Sequence, residues 1–222
     1  MDEPQDTPRE TLPVAEETAG GDAVATGGRA LLVYASRHGS TREVADAVAE
    51  EFRAAFVEVD VYEAGSAPPP AGYDAVVIGG PMIMGWHKDA RKYLKRHRGE
   101  LGDVPFALFV TAASLTEDGV NAVEGMPIAK DPWLVKKPRN AEKLSRKERY
   151  ALPRHYVGDI LKDCAPARPR NVAVFAGSLD LTTMNLFEKL FVLVVIGATP
   201  GDGRHYEFIR AWAAGLGEAL AR

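Results

Sequence analysis

Apolar runs separated by helix-length segments confine this chain to few architectures. Residues 30–35 (ALLVYA), 74–79 (DAVVIG), 104–111 (VPFALFVT) and 171–177 (NVAVFAG) are near-continuously apolar, and residues 56–62 (FVEVDVY) alternate. Runs of this kind fit strands buried on both faces, as in a parallel sheet covered by helices. Helical spacing fills the gaps. Val44, Ala45, Val48, Ala49 and Phe52 share one face of a segment at 41–56, residues 86–98 form a strongly basic helix, and residues 206–221 close the chain. The alternation argues an α/β, doubly wound, five-stranded parallel sheet with right-handed crossovers and strand order 2-1-3-4-5. Its ligand crevice lies at the switch between the first and third strands, at their carboxyl ends.

The 222-residue chain is long enough for one well-buried domain. Its net charge of −4 is uneven. Residues 1–28 hold seven acids against one arginine, are rich in Pro, Thr and Gly, and read as a disordered acidic tail. That tail lacks the basic start and apolar core of a secretory signal, and no apolar run is long enough to cross a bilayer. Residues 29–222 form the domain. The lone Cys164 rules out an internal disulfide, which suits a cytoplasmic protein, and it reads as a spectator.

Two excursions exceed what five strands need: residues 114–141, followed by a helix over 143–163, and residues 178–204, inserted before the last helix. Within the second, residues 184–196 (MNLFEKLFVLVVI) read as a helix apolar on most sides. It packs on the domain or in a homo-oligomer, or forms a lip touching the inner face of a membrane and guiding a quinone.

The motif YASRHGSTREV, residues 34–44, carries most of the chemistry. A strand, a loop holding Ser36, Arg37, His38, Gly39, Ser40 and Thr41, and a helix start together make an anion site. The first N–H groups of a helix lack internal partners, and its dipole favours negative charge there. Ser36, Ser40 and Thr41 add hydroxyl donors, and Gly39 permits close backbone approach. The plainer alternative is a helix N-cap by Ser40 or Thr41 with Glu43 nearby.

On these residues the chain resembles the flavodoxin-like superfamily, whose first loop reads hydroxyl, any, hydroxyl, Gly, any, hydroxyl. Ser36, Gly39 and Thr41 match, and His38 replaces the middle hydroxyl. A narrower resemblance is to the menaquinone-dependent protoporphyrinogen dehydrogenase group. It rests on SRHGSTRE, VVIGGPMIMGWH, NVAVFAGSL and the insertion before GDGRHYEFIRAWA. That group tends to carry Arg and Tyr where this chain has Ile83 and Met84. The resemblance implies an FMN cofactor. Its phosphate would sit on Ser36 to Thr41, with Arg37 or Arg42 adding charge. One ring wall would be Pro81, Met82, Ile83, Met84, Gly85 and Trp86, and the other Thr111, Ala112 and Ser114. A peptide flip at Gly85 would present a carbonyl to the ring. Trp86 serves either as ring contact or as a staple between helix and sheet.

The resemblance implies an FMN-dependent oxidoreductase passing electrons from a small reduced substrate, a porphyrinogen among the candidates, to a quinone-like acceptor. The alternative is a flavodoxin-type electron carrier between redox-protein partners, and a third reading is a binding module without flavin. Flavin does the redox chemistry, so no catalytic side chain is assigned. His38, His87, His97, His155 and His205 show no metal-ligand spacing. The basic residues Lys88, Arg91, Lys92, Lys95, Arg96 and Arg98, and those from Lys136 to Arg149, read as solvated surface or as a field steering an acidic partner or anionic lipid. No aromatic platform for nucleic acid accompanies them.

Overall fold

The computed structural model describes residues 27–83, 85–179 and 201–221. The apolar runs form strands because each side chain they carry has a core to enter on one face of the sheet or the other. In β1 (Gly27–Tyr34), Leu31 and Val33 point to one core, and Ala30, Leu32 and Tyr34 to the second. β2 (Phe56–Glu63), β3 (Ala75–Pro81), β4 (Phe106–Ala112) and β9 (Asn171–Ala176) join it in the order β2-β1-β3-β4-β9, all parallel. This is the expected 2-1-3-4-5 arrangement. Fully buried Leu31, Leu108 and Phe175 each contribute roughly 1.5–3 kcal/mol through the apolar surface they remove from water.

Helices cover both faces. α1 (Ser40–Phe52) and α5 (Tyr206–Leu220) bury Val44, Val48, Phe52, Ile209 and Ala213 on one side. α2 (Lys88–His97) and α4 (Pro153–Cys164) bury Leu94, Tyr93, Val157 and Ile160 on the other. Arg210 ties α5 to α1 through Glu50 and Glu51. Arg91 and Lys95 of α2 both pair with Asp163 of α4, which neutralises part of the basic face.

The sheet departs from the expected five parallel strands: it has seven and is mixed. The extra two come from residues 114–141, the first of the two excursions, to which the sequence pattern assigns no strand. β7 (Met126–Lys130) pairs parallel with β9, and β6 (Ala122–Val123) turns antiparallel onto β7 through Glu124 and Gly125, both at positive φ. Pro127 and Lys130 obscure the strand pattern in the sequence. Short β5 (Leu115–Thr116) and β8 (Val135–Lys136) pair beside them, and β10 (Ser178–Leu179) pairs with β11 (Gly201–Asp202). The expected helix over 143–163 is broken into α3 (Arg146–Tyr150) and α4, because Pro153 cannot continue a helix and instead starts one at its first position. The acidic tail up to residue 26, Met84, and the apolar stretch 184–196 lie outside the described residues. Among the described residues no helix is long and apolar enough to cross a membrane.

α3 owes its start to a reciprocal cap. The Ser145 hydroxyl accepts from Glu148 N–H, and the Glu148 carboxylate accepts from the backbone N–H of Ser145 and of Arg139. These bonds, the Arg139 N–H first, hold the Glu148 carboxyl down to about 2 against an ordinary value of 4.5. The folded value is depressed, so the stabilisation is complete above about 4.5 and is lost as pH falls toward about 2. Acid titration should therefore release the 139–150 segment over that window. Hydrogen exchange at Ser145 and Arg139 N–H should accelerate there, and Glu148→Gln, which has no proton to gain, should abolish that pH dependence and leave exchange fast throughout.

Candidate functional site

The carboxyl ends of β1, β3 and β4 converge at the topological switch, and the loops leaving them form the candidate site. α1 begins at Ser40 with Gly39 as its N-cap in the left-handed region (φ 86), and no side chain caps it. The capping alternative for Ser40 and Thr41 therefore does not hold. The first α1 bond runs from Glu43 N–H to Gly39 C=O at 3.2 Å, leaving the first-turn N–H groups directed out of the helix end. No atom lies within 4 Å of where a Gly39 Cβ would stand, so this residue is glycine for its φ and not for crowding.

The loop hydroxyls are engaged as acceptors. Ser36 Oγ accepts from Gly39 N–H at 3.0 Å, and Ser40 Oγ accepts from Ser178 N–H at 3.0 Å. Each O–H is thereby left to donate to a ligand oxygen. Thr41 differs: it is buried, and its hydroxyl bonds that of Thr111 at 3.0 Å, locking the loop to the end of β4. Arg37 is exposed, His38 is half-buried, and Arg42 pairs with Asp46 at 3.8 Å along the helix.

The first wall is a tight turn after β3. Met82 and Trp86 form an antiparallel bridge, Ile83 N–H donates to Gly85 C=O, and His87 N–H donates to Pro81 C=O. Gly85 sits at φ 117, which a residue with Cβ rarely adopts. Trp86 is 6% exposed, and its indole N–H donates to Gly80 C=O at 3.1 Å, the geometry of a staple. His87 caps α2 by accepting from Asp89 N–H at 3.3 Å, and burial lowers its pKa. Met84 lies outside the described residues. The second wall follows β4: Thr111 and Ala112 are buried, and Ser114 is half-buried. Met82 N–H donates to Thr111 C=O at 2.8 Å, so the two walls spring from one hydrogen-bonded strand end.

The sequence reading missed three groups. Tyr150 of α3 places its hydroxyl 2.6 Å from Gly85 N–H. Ser178, beyond β9, supports Ser40. Asp131, just after β7, is 0% exposed and holds His205 Nδ1 at 3.1 Å, while the His205 ring stacks on Trp133 at 4.0 Å. Only Asp131 left a local signal, since an Asp at a strand end commonly bonds the backbone two residues on. Cys164 is buried, which pushes its thiol up to about 12, as befits a spectator. A cavity of about 410 Å³ opens at the opposite, amino end of β4, β7 and β9, with Asp103, Arg168 and Arg170 on its rim.

Among the described residues the donors suit a phosphate ester: two hydroxyls that accept a bond and keep their own protons to donate, an uncapped helix end, and no acidic side chain among residues 36–41. The loops expected to wall a flat ring leave from the neighbouring strands β3 and β4. A family profile described as "Flavodoxin domain" matches residues 31–204. The protoporphyrinogen IX dehydrogenase [quinone] of Escherichia coli K12 is 23% identical over 177 residues, covering 78% of this chain and 82% of that protein. Among solved structures, an archaeal flavodoxin superposes with a TM-score of 0.46 at 9% identity, over 87% of this chain and 99% of that one. A rubredoxin:oxygen oxidoreductase of Desulfovibrio gigas superposes with a TM-score of 0.43 at 14% identity over 86% of this chain, which spans only 36% of that longer protein. The profile covers the whole parallel sheet from Leu31 onward, the first loop and both walls; the chain belongs to the flavodoxin domain family, and its cofactor is FMN.

Proposed function

We propose that the protein carries electrons between redox partners through FMN held at the carboxyl ends of β1, β3 and β4. The observation that carries this reading is the uncapped start of α1 beside Ser36 and Ser40, whose O–H groups remain free to donate. FMN, when bound, supplies the electron uptake and release. The chain's own residues bind and shield it. First-turn N–H groups and the two serine hydroxyls would hold the phosphate, and the Thr41–Thr111 bond would fix the loop against β4. The turns at 81–86 and 111–114 would exclude water from the ring faces. Exposed Lys88, Lys92, Arg96 and Arg98 on and just after α2 would steer an acidic partner.

A second reading, an oxidoreductase acting on a small reduced substrate with a quinone-like acceptor, is favoured by one observation. The segment between β4 and β9 mounts α3 and α4 directly over the second wall: Thr116 Oγ1 donates to Glu148 C=O, and Thr116 N–H donates to Ala151 C=O. Such a cover suits a substrate pocket better than an open electron-exchange edge. The porphyrinogen and quinone in the name of the Escherichia coli relative are the first candidates.

An absorption spectrum of purified protein before and after FMN addition tests both readings, since protein that never takes up FMN would sink them together. Anaerobic stepwise reduction then separates them. Two well-spaced one-electron potentials support carriage, whereas a single two-electron step with quinone turnover supports the oxidoreductase.

A further inference from the structure

Tyr150 joins the two walls of the site. Its helix, α3, is fixed to the second wall by the Thr116 contacts to Glu148 and Ala151 and by the Ser145–Glu148 cap. Its ring is held edge-on by His155 (5.1 Å) and Tyr156 (5.6 Å). From there the phenol crosses to the first wall and accepts from Gly85 N–H at 2.6 Å. Gly85 C=O is meanwhile tied to Ile83 N–H. Both polar backbone groups of Gly85 are thus engaged, one inside its own turn and one by a side chain 65 residues away.

We propose that Tyr150 is a positioning residue for the redox face of the FMN site: its hydroxyl withholds Gly85 N–H from the ring and locks the first wall to the second. The inference rests on the FMN reading of the site. Gly85 has no Cβ and nothing within 4 Å of where one would be, so its amide is free to reorient once released. An N–H beside a flavin ring changes the ring's potential by hydrogen bonding its heteroatoms. Because the phenol oxygen accepts from Gly85, its own proton points elsewhere, and burial, the larger effect on its pKa, keeps that proton on at neutral pH.

The test is Tyr150→Phe, which removes the hydroxyl and keeps the ring. In FMN-free protein, solvent exchange of the Gly85 amide should accelerate by about two- to tenfold, the loss expected for one neutral hydrogen bond. In FMN-loaded protein the spacing of the two one-electron potentials should change, while affinity for FMN moves by less than about threefold because the phosphate cradle is untouched. Site-specific 3,5-difluorotyrosine at 150, read at mildly acidic pH where its more acidic phenol stays protonated, keeps shape and hydroxyl but weakens the oxygen as an acceptor. It should move exchange and potentials the same way by less, and it decides the matter should the Phe variant not fold. Unchanged Gly85 exchange, or unchanged potentials in loaded protein, overturns the proposal. Failure of the wild type to bind FMN overturns the cofactor reading instead, and Gly85 exchange in the FMN-free protein still reports separately on the hydrogen bond.

Discussion

Ser40→Asp should cut FMN affinity at least about 100-fold, or roughly 2.7 kcal/mol, while leaving riboflavin binding within about twofold. Ser40 is the first residue of an uncapped helix. A carboxylate there interacts favourably with the helix dipole, by about 0.3–1 kcal/mol, so the FMN-free protein should melt no lower than the wild type. The same carboxylate faces the place proposed for the phosphate. Two like charges about 4 Å apart at an effective dielectric near 20 repel by about 4 kcal/mol, which outweighs any lost hydrogen bond. Riboflavin lacks the phosphate and should be indifferent. Fluorescence titrations with both flavins make the comparison. Equal loss for the two would show that the phosphate does not sit at this helix end.

Asp131→Ala should lower stability by about 3–5 kcal/mol and the melting temperature by about 10 °C, since each kcal/mol is worth about 2–4 °C in a domain of this size. The side chain is fully buried and satisfies three donors at once. Oδ1 accepts from Trp133 N–H at 2.9 Å and lies 3.1 Å from His205 Nδ1, and Oδ2 accepts from Ala176 N–H at 3.1 Å. Alanine strands the Ala176 N–H where water does not reach and leaves the part-buried Trp133 N–H and His205 ring without their acceptor, and each buried unsatisfied group costs about 1–3 kcal/mol. Asparagine can accept with its oxygen but turns an N–H₂ toward one donor, so Asp131→Asn should fall between. His205→Ala should cost less, about 1–2 kcal/mol, because it removes one bond and the exposed stack with Trp133 but leaves both backbone donors satisfied. Thermal melts of the three variants give the order. An Asp131→Ala protein within 1 kcal/mol of the wild type would mean that water or rearrangement replaces the carboxylate.

What the sequence disclosed follows from the range of the forces involved. The five parallel strands were legible because four are near-continuous apolar runs, which burial on both faces leaves in any context, and β2 at the edge alternates apolar with polar residues. The first loop was legible because hydroxyls and a glycine before an amphipathic helix are a local pattern. Residues 114–141 were not, since β7 interleaves Pro127 and Lys130 with its apolar residues and gains its place only by pairing with β9, more than 40 residues on. The Tyr150–Gly85 and Asp131–His205 contacts span 65 and 74 residues and have no local precursor. Nor did the sequence show that the Trp86 indole N–H donates to the Gly80 carbonyl and so ties the turn to β3.

The hairpin of β6 and β7 also governs how the molecule meets its own copies. Without it, β9 would present a full row of unpaired amides and carbonyls along an apolar rim, the surface from which runaway strand stacking grows. With it, the terminal member on that side is a two-residue stub, and the opposite rim, β2, is studded with Glu58, Asp60 and Glu63. Among the described residues both rims are thus poor templates for strand-by-strand stacking.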